Sequence, residues 1–224
     1  MTPAPADALA RALRLMMGSD VAVAAQAIGA PGADLAPAER AAIRQAVPAR
    51  QAEFAAGRQA ARRAMAGLGA PPRPIPMGPD RAPRWPLGIT GSISHAGGLA
   101  MAAVALSPPI RALGLDIEPE TPLEKALWPA ILTEAEQKWL HEQPENDRGT
   151  LAKCLFSIKE CSYKAQYVLT ARLLEFHDLE VTLDRQKGHF SAVFQTAAPP
   201  FSAGHSLPGQ VQLHHGLILS AMVI

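Results

Sequence analysis

Several shortages in this sequence each remove a class of protein. Only two cysteines are present, Cys154 and Cys161, seven residues apart. On one helix that spacing separates them by about 10 Å along the axis, too far for a disulfide within the helix. There is no CxxC pair and no histidine-rich tract, so zinc-site spacing is missing, and a reduced, cytoplasmic protein is expected. Lysine and arginine exceed aspartate and glutamate by one charge, which gives no global basic field for nucleic acid. No uninterrupted apolar run is long enough to span a bilayer. The N-terminus does not read as a basic region, apolar core and cleavage site. Aromatic residues are few, at 5%. What remains is a chain of 224 residues, 48% hydrophobic and 18% charged, suited to a soluble globular protein of one large domain or two small lobes.

The chain is rich in Ala, Pro and Gly, and these punctuate it. The first 20 residues are Ala-rich with Arg11 and Arg14, and their order is left open. Residues 21–24 read as a strand ended by Pro31-Gly32. Pro37 opens a helix and Pro48 interrupts the pattern. A second helix runs from there to about Leu68, with Phe54, Ala61 and Met65 at helical spacing. It carries Arg50, Arg58, Arg62 and Arg63. Arg58 and Arg62 share a face, with Arg50 two turns before, a basic stripe that is either solvated or able to hold a phosphate. Residues 70–88 are too dense in Pro and Gly for helix or central strand. They form either a linker or an ordered loop, and Arg84-Trp85-Pro86 favours the loop, because an indole is costly to leave loose on a surface.

Gly91-Ser92-Ile93-Ser94-His95 then reads as a strand entering the Gly97-Gly98 turn, with a paired strand over 99–106. A histidine at a strand end beside glycines can reach a phosphate close to the backbone. In Gly114-Leu115-Asp116-Ile117-Glu118, Asp116 and Glu118 point to one face of a strand. Paired carboxylates there repel unless solvent or a cation relieves them, and Mg²⁺ takes such oxygen ligands. A short helix over 122–130 and a second one capped by Thr133 and Glu136 follow. Residues 144–149 read as a polar break. The longest helix is expected from about Thr150 to Val168, with Leu151, Leu155, Ile158 and Ser162 as its buried stripe and Lys159 and Glu160 off its centre. It holds Phe156-Ser157-Ile158-Lys159-Glu160-Cys161-Ser162-Tyr163-Lys164-Ala165, in which Glu160 and Lys164 lie one turn apart. Strands are expected over 179–184 and 189–194, then a loop over 197–209, then a strand pair over 211–224. His214 and His215 are adjacent, face opposite sides of a strand, and are read as non-catalytic. No Gly-x-Ser-x-Gly elbow is present, which disfavours a serine hydrolase. No internal sequence repeat is visible.

The order of these pieces resembles the 4'-phosphopantetheinyl transferase superfamily, most closely its enterobactin-synthase-type branch. The matching text is Glu53-Phe54-Ala55-Ala56-Gly57-Arg58, Pro83-Arg84-Trp85-Pro86, Gly91 to His95, Gly114 to Glu118 and Phe156 to Ala165. The resemblance is firm over roughly residues 50–165. It implies an α+β fold of two similar α/β lobes in a pseudo-twofold arrangement, here divided as 1–110 and 111–224, with the site between them. It implies Mg²⁺-dependent transfer of the 4'-phosphopantetheine group of coenzyme A to a serine of an apo acyl or peptidyl carrier protein, releasing 3',5'-ADP. Siderophore or secondary-metabolite synthesis would be the setting, and a monomer is expected. By the same resemblance Asp116, Glu118 and Glu160 are the metal ligands. Glu160 is the candidate base, directly or through water. Lys164 contacts the pyrophosphate and Lys159 adds positive field nearby. His95 with Ser94 contacts the coenzyme 3'-phosphate, and Arg58 and Arg50 serve that phosphate or the adenine. Met77 departs from relatives that carry a lysine there, leaving Arg73 or Arg81 as substitutes. Two rivals stay open: another Mg²⁺-dependent phosphoryl or nucleotidyl transferase, and a non-catalytic coenzyme A or carrier-binding module.

Overall fold

The computed structural model describes residues 6–30, 32 and 34–224. Pro31, assigned to a strand end, and the first five residues lie outside them. The chain divides into two compact units, one ending at Leu113 and the other running Gly114–Ile224.

The first unit holds α1 (Ala6–Met17), β1 (Val21–Ala27), α2 (Pro37–Ile43), α3 (Pro48–Gly67), β2 (Ile89–Ala96) and β3 (Leu99–Leu106). The Ala-rich start, whose order the sequence left open, is helical as α1 and buries Leu9, Leu13 and Met16. The strands form an antiparallel sheet in the order β1-β3-β2. Helix α3 packs on this sheet through small side chains: Ala60, Ala61 and Ala64 meet Ala102 and Val104 in one core cluster. The Pro-rich loop is ordered. Ile75 is fully buried in that cluster, and Trp85 packs against it. Trp85 approaches the sheet closely at Gly91, where a Cβ would come within 2.7 Å of the indole ring.

The second unit holds β4 (Leu113–Pro119), a 3-10 turn at Lys125–Leu127, α4 (Trp128–Ile131), α5 (Glu134–His141), α6 (Glu145–Thr170), a 3-10 turn at Phe176–Asp178, β5 (Leu179–Asp184), β6 (His189–Phe194), β7 (Ser206–His214) and β8 (Leu217–Val223). Its sheet has the order β4-β8-β7-β6-β5. Helix α6 packs on it through Leu151, Leu155 and Ile158. Each of these aliphatic side chains contributes roughly 1.5–3 kcal/mol on burial. Cys154 and Cys161 are buried free thiols.

The helix expected over 122–130 is a 3-10 turn followed by the short α4, and two longer elements begin earlier than expected. Helix α6 begins at Glu145, inside what reads as a polar break. Pro144 sits at its N-cap, and Glu145 and Asp147 fill the first turn, where carboxylates favour the helix dipole. Gly149 within it costs only about 1 kcal/mol, which the packing of a 26-residue helix offsets. Strand β7 begins at Ser206, inside the expected Pro/Gly loop. Pro208 is tolerated because β8 pairs with β7 only from Gln210 to His214, so Pro208 pairs with β6 alone.

Candidate active site

Strand alternation puts Gly114, Asp116 and Glu118 on one face of β4, and that face meets α6. The two elements touch at Gly114, where a Cβ would run into the Cys161 carbonyl oxygen. Close approach lets Lys164 Nζ donate to Asp116 Oδ1 at 2.6 Å and to the Leu115 carbonyl at 3.2 Å. Asp116 is only 3% exposed. Two residues along β4, Glu118 pairs with Lys153 at 2.7 Å. Lys153, Glu160 and Lys164 lie at helical spacing on α6, so one face of the helix presents ammonium, carboxylate and ammonium to the acidic strand.

The electrostatics follow from that placement. Burial pushes the Glu160 carboxyl above its ordinary range, and the charges of Asp116 and Glu118 push it further, while Lys164 offsets part. Burial alone would lower Lys164, but the charge and hydrogen bond of Asp116, with Glu160 beside it, hold it above the ordinary lysine range. A carboxylate raised in this way is a stronger proton acceptor once ionised. Asp116, Glu118 and Glu160 offer only carboxylate oxygen, the donor type that Mg²⁺ takes. Among the described residues no three His, Cys, Asp or Glu side chains gather as a metal-holding group; Asp116 and Glu118 hold lysines instead. The donor chemistry fits a hard divalent cation at a place now occupied by ammonium groups.

Lys159 does not join this group. It is 1% exposed, and its Nζ lies 2.9 Å from Glu136 Oε2 and donates to the Phe176 carbonyl at 2.8 Å. Burial works against both charges, lowering Lys159 and raising Glu136, while each partner offsets part of the other's shift. The sequence stripe placed Lys159 off the buried centre with Glu160. A step of one residue turns about 100° around a helix, and here it carries Lys159 into the packing against α5.

The other expected residues lie in the first unit. Arg50 Nη1 meets His95 Nε2 at 2.8 Å, and Glu53 reaches both, at 3.3 Å from Arg50 and 3.6 Å from His95. Ser94, beside His95 on β2, is buried. Arg58 is buried with its guanidinium 3.9 Å over the Phe54 ring, and its Nε donates to the Ile75 carbonyl at 2.9 Å. Burial lowers its pKa to about 10, with Glu39 opposing and Arg50 and Arg62 adding to the shift. Arg58 thus ties the Pro-rich loop to α3. The basic stripe is only partly solvated: Arg50 and Arg63 are exposed, but Arg58 is buried, Arg62 binds Glu39 and Arg63 binds the Ala25 carbonyl. Met77 packs on the cluster of Leu35, Ile43, Phe54 and Ala55. Arg73 and Arg81 are exposed.

Residues 38–105 match the family described as the 4'-phosphopantetheinyl transferase N-terminal domain, and residues 112–213 match the 4'-phosphopantetheinyl transferase superfamily. The chain is 35% identical over 196 residues to the 4'-phosphopantetheinyl transferase Svp of Streptomyces mobaraensis, covering 85% of this chain and 78% of the relative. It belongs to the 4'-phosphopantetheinyl transferase superfamily. The transferase PptT of Mycobacterium tuberculosis is 32% identical over 205 residues, covering 87% of this chain and 88% of its own. Enterobactin synthase component D of Escherichia coli is 33% identical over 158 residues, covering 65% and 72% respectively. Like the transferases it matches, the protein is a 4'-phosphopantetheinyl transferase. Among its described residues no helix is long and apolar enough to cross a membrane.

Lys153 is not among the residues expected from the sequence, and Glu53 belongs there only to a matching segment. Lys153 falls at helical spacing before Glu160, which is the signal that would have found it. Glu53 lies one turn from Arg50, but its link to His95 depends on the sheet carrying β2 beside α3.

Proposed function

We propose that the protein transfers the phosphopantetheine arm of coenzyme A to a serine hydroxyl of an apo carrier protein, with Asp116, Glu118, Glu160 and Lys164 carrying the chemistry. The observation that carries this reading is the pair of buried Asp116 with half-buried Lys164 at 2.6 Å, on the helix face that also bears Glu160.

The hydroxyl oxygen of the carrier serine attacks the phosphorus that bears the pantetheine arm. The bond from that phosphorus to the bridging oxygen breaks, and 3',5'-ADP leaves with the bridging oxygen. The serine proton passes to Glu160, directly or through water; neighbouring carboxylates and burial make this group a better acceptor than an ordinary glutamate. Lys164 stands at the same face with its charge held by Asp116, where it stabilises negative charge that grows on the leaving side. Held by Asp116, Glu118 and Glu160, Mg²⁺ would neutralise the pyrophosphate and align it.

In the first unit Arg50 and His95 together offer donors to an anion, and Glu53 holds them in the absence of one. The 3'-phosphate of coenzyme A fits that chemistry. Arg58 supports this group by fixing the loop that ends at Trp85, with direct contact to the coenzyme as its second assignment. Lys159 is assigned to the fold. The division into lobes at 1–110 and 111–224 is part of the same reading. The enterobactin synthase relatives favour a carrier of a siderophore assembly line.

The test incubates purified protein with coenzyme A, Mg²⁺ and a panel of apo carrier proteins, reading intact mass. One phosphopantetheine added to a carrier, lost with EDTA, is the expected result. No addition to any carrier despite coenzyme A binding would replace this reading with a binding module. Turnover of a nucleotide with no carrier present would favour another phosphoryl or nucleotidyl transferase.

A further inference from the structure

Lys153 has no part in the reaction as described, yet it sits on one of the three carboxylates. Its Nζ lies 2.7 Å from Glu118 Oε2, with side-chain exposures of 16% and 23%. The ammonium also stands 5.0 Å from the centre of the Phe156 ring, one turn further along α6. An ion pair this withdrawn from water is screened less than a surface pair. The pair is not needed to dock its elements: Leu151, Ala152, Cys154 and Leu155 around Lys153 are buried in the core, and β4 is held in the sheet beside β8. A lysine and a divalent cation compete for one carboxylate oxygen, so an ion that takes Glu118 Oε2 must displace Lys153 from it.

We propose that Lys153 is a positioning residue that sets the metal affinity of the coenzyme-free protein: its ammonium holds Glu118 Oε2 as a stand-in cation, and a divalent ion gains that oxygen only by displacing it. This rests on the assignment of Asp116, Glu118 and Glu160 to Mg²⁺. A site held closed in a fraction of the molecules shows an affinity reduced by the fraction left open; a pair formed in about four of five molecules weakens binding about fivefold. The site would then be nearly charge-balanced at rest, and the metal would be held weakly until substrate contributes its own oxygens.

The experiment titrates Mn²⁺ into the protein without coenzyme A or carrier and reads free Mn²⁺ by electron paramagnetic resonance. Lys153→Gln should bind Mn²⁺ about fivefold more tightly than the native protein, and Lys153→Arg, which keeps the charge, should stay near the native value. Equal or weaker binding by Lys153→Gln overturns the proposal while leaving the reaction untouched. If neither protein binds Mn²⁺ even with coenzyme A added, the metal assignment itself fails, and the role of Lys153 falls with it. Lys153→Met keeps the stem over Phe156 and should repeat the glutamine result. If both uncharged variants fail to fold, the pair is structural and the proposal is wrong.

Discussion

Glu39 in the first unit and Glu136 in the second unit hold the same kind of junction. Each stands at the third position of a short helix and reaches back to the cap: Glu39 Oε2 accepts from Ala36 N at 2.9 Å, and Glu136 Oε2 accepts from Thr133 N at 2.8 Å. Each also accepts a distant backbone N–H at 2.7 Å, from Ile75 in one case and Val181 in the other. Each takes a basic partner 23 positions later on the long helix that follows, Arg62 on α3 and Lys159 on α6. The partners differ in exposure, with Arg62 20% exposed and Lys159 1%. Glu39 pins the Pro-rich loop, whereas Glu136 pins an edge strand. Lys159 is therefore the counterpart of a fold arginine, although it adjoins Glu160 in a segment that reads as catalytic.

The comparison can be broken by substitution, and the largest effect should come one residue beyond the junction. Glu160→Gln should reduce phosphopantetheine transfer about 10²–10⁴-fold, the range for losing a general base, as measured by intact mass of the carrier. Its melting temperature should hold or rise, because a half-buried carboxylate repelled by Asp116 and Glu118 is removed. Full activity would end the assignment of Glu160.

Next in size is Lys159→Met, which leaves Glu136 charged, buried and without its ion-pair partner. The expected loss is about 3–5 kcal/mol, roughly 10 °C in melting temperature. The double variant with Glu136→Gln should recover most of it, which a coenzyme-binding role for Lys159 would not predict. A fully stable Lys159→Met with a raised KM for coenzyme A would return Lys159 to the site.

Arg62→Met should cost less, about 1.5–3 kcal/mol for the charged hydrogen bonds lost, because Arg62 is partly in water whereas Lys159 is not. Urea denaturation followed in both variants ranks the two junctions; a larger loss for Arg62 would reverse the comparison. The smallest effect should be Thr133→Ala, which removes the hydroxyl that accepts from Glu136 N at 3.3 Å. A cap of this type is worth about 1 kcal/mol, and the same measurement resolves it.

Local rules were enough for part of this protein. Proline at the first turn marked α2 and α3, the Thr133–Glu136 box marked α5, and alternation put Asp116 and Glu118 on one face of β4. Those signals depend on neighbours within a turn or two, which the sequence states directly. The repeat between the two junctions escaped notice because Ala36-Pro37-Ala38-Glu39 and Thr133-Glu134-Ala135-Glu136 share little beyond the glutamate, and their common geometry is made by partners far along the chain.

The amino-acid sequence by itself determined the helices and strands of the motif region, the carboxylates of β4 and the spacing of Glu160 and Lys164, since periodicity and capping act locally. Tertiary structure set which side of α6 faces the carboxylates of β4 and which packs into the core. Gly114 brings β4 against Cys161 and so selects Asp116 and Glu118 as partners for Lys164 and Lys153, while the docking of α5 draws Lys159 onto Glu136. Lysines six and five residues apart on one helix point different ways, and only the elements packed around them determine which charge is buried on Glu136 and which ones meet the carboxylates of β4.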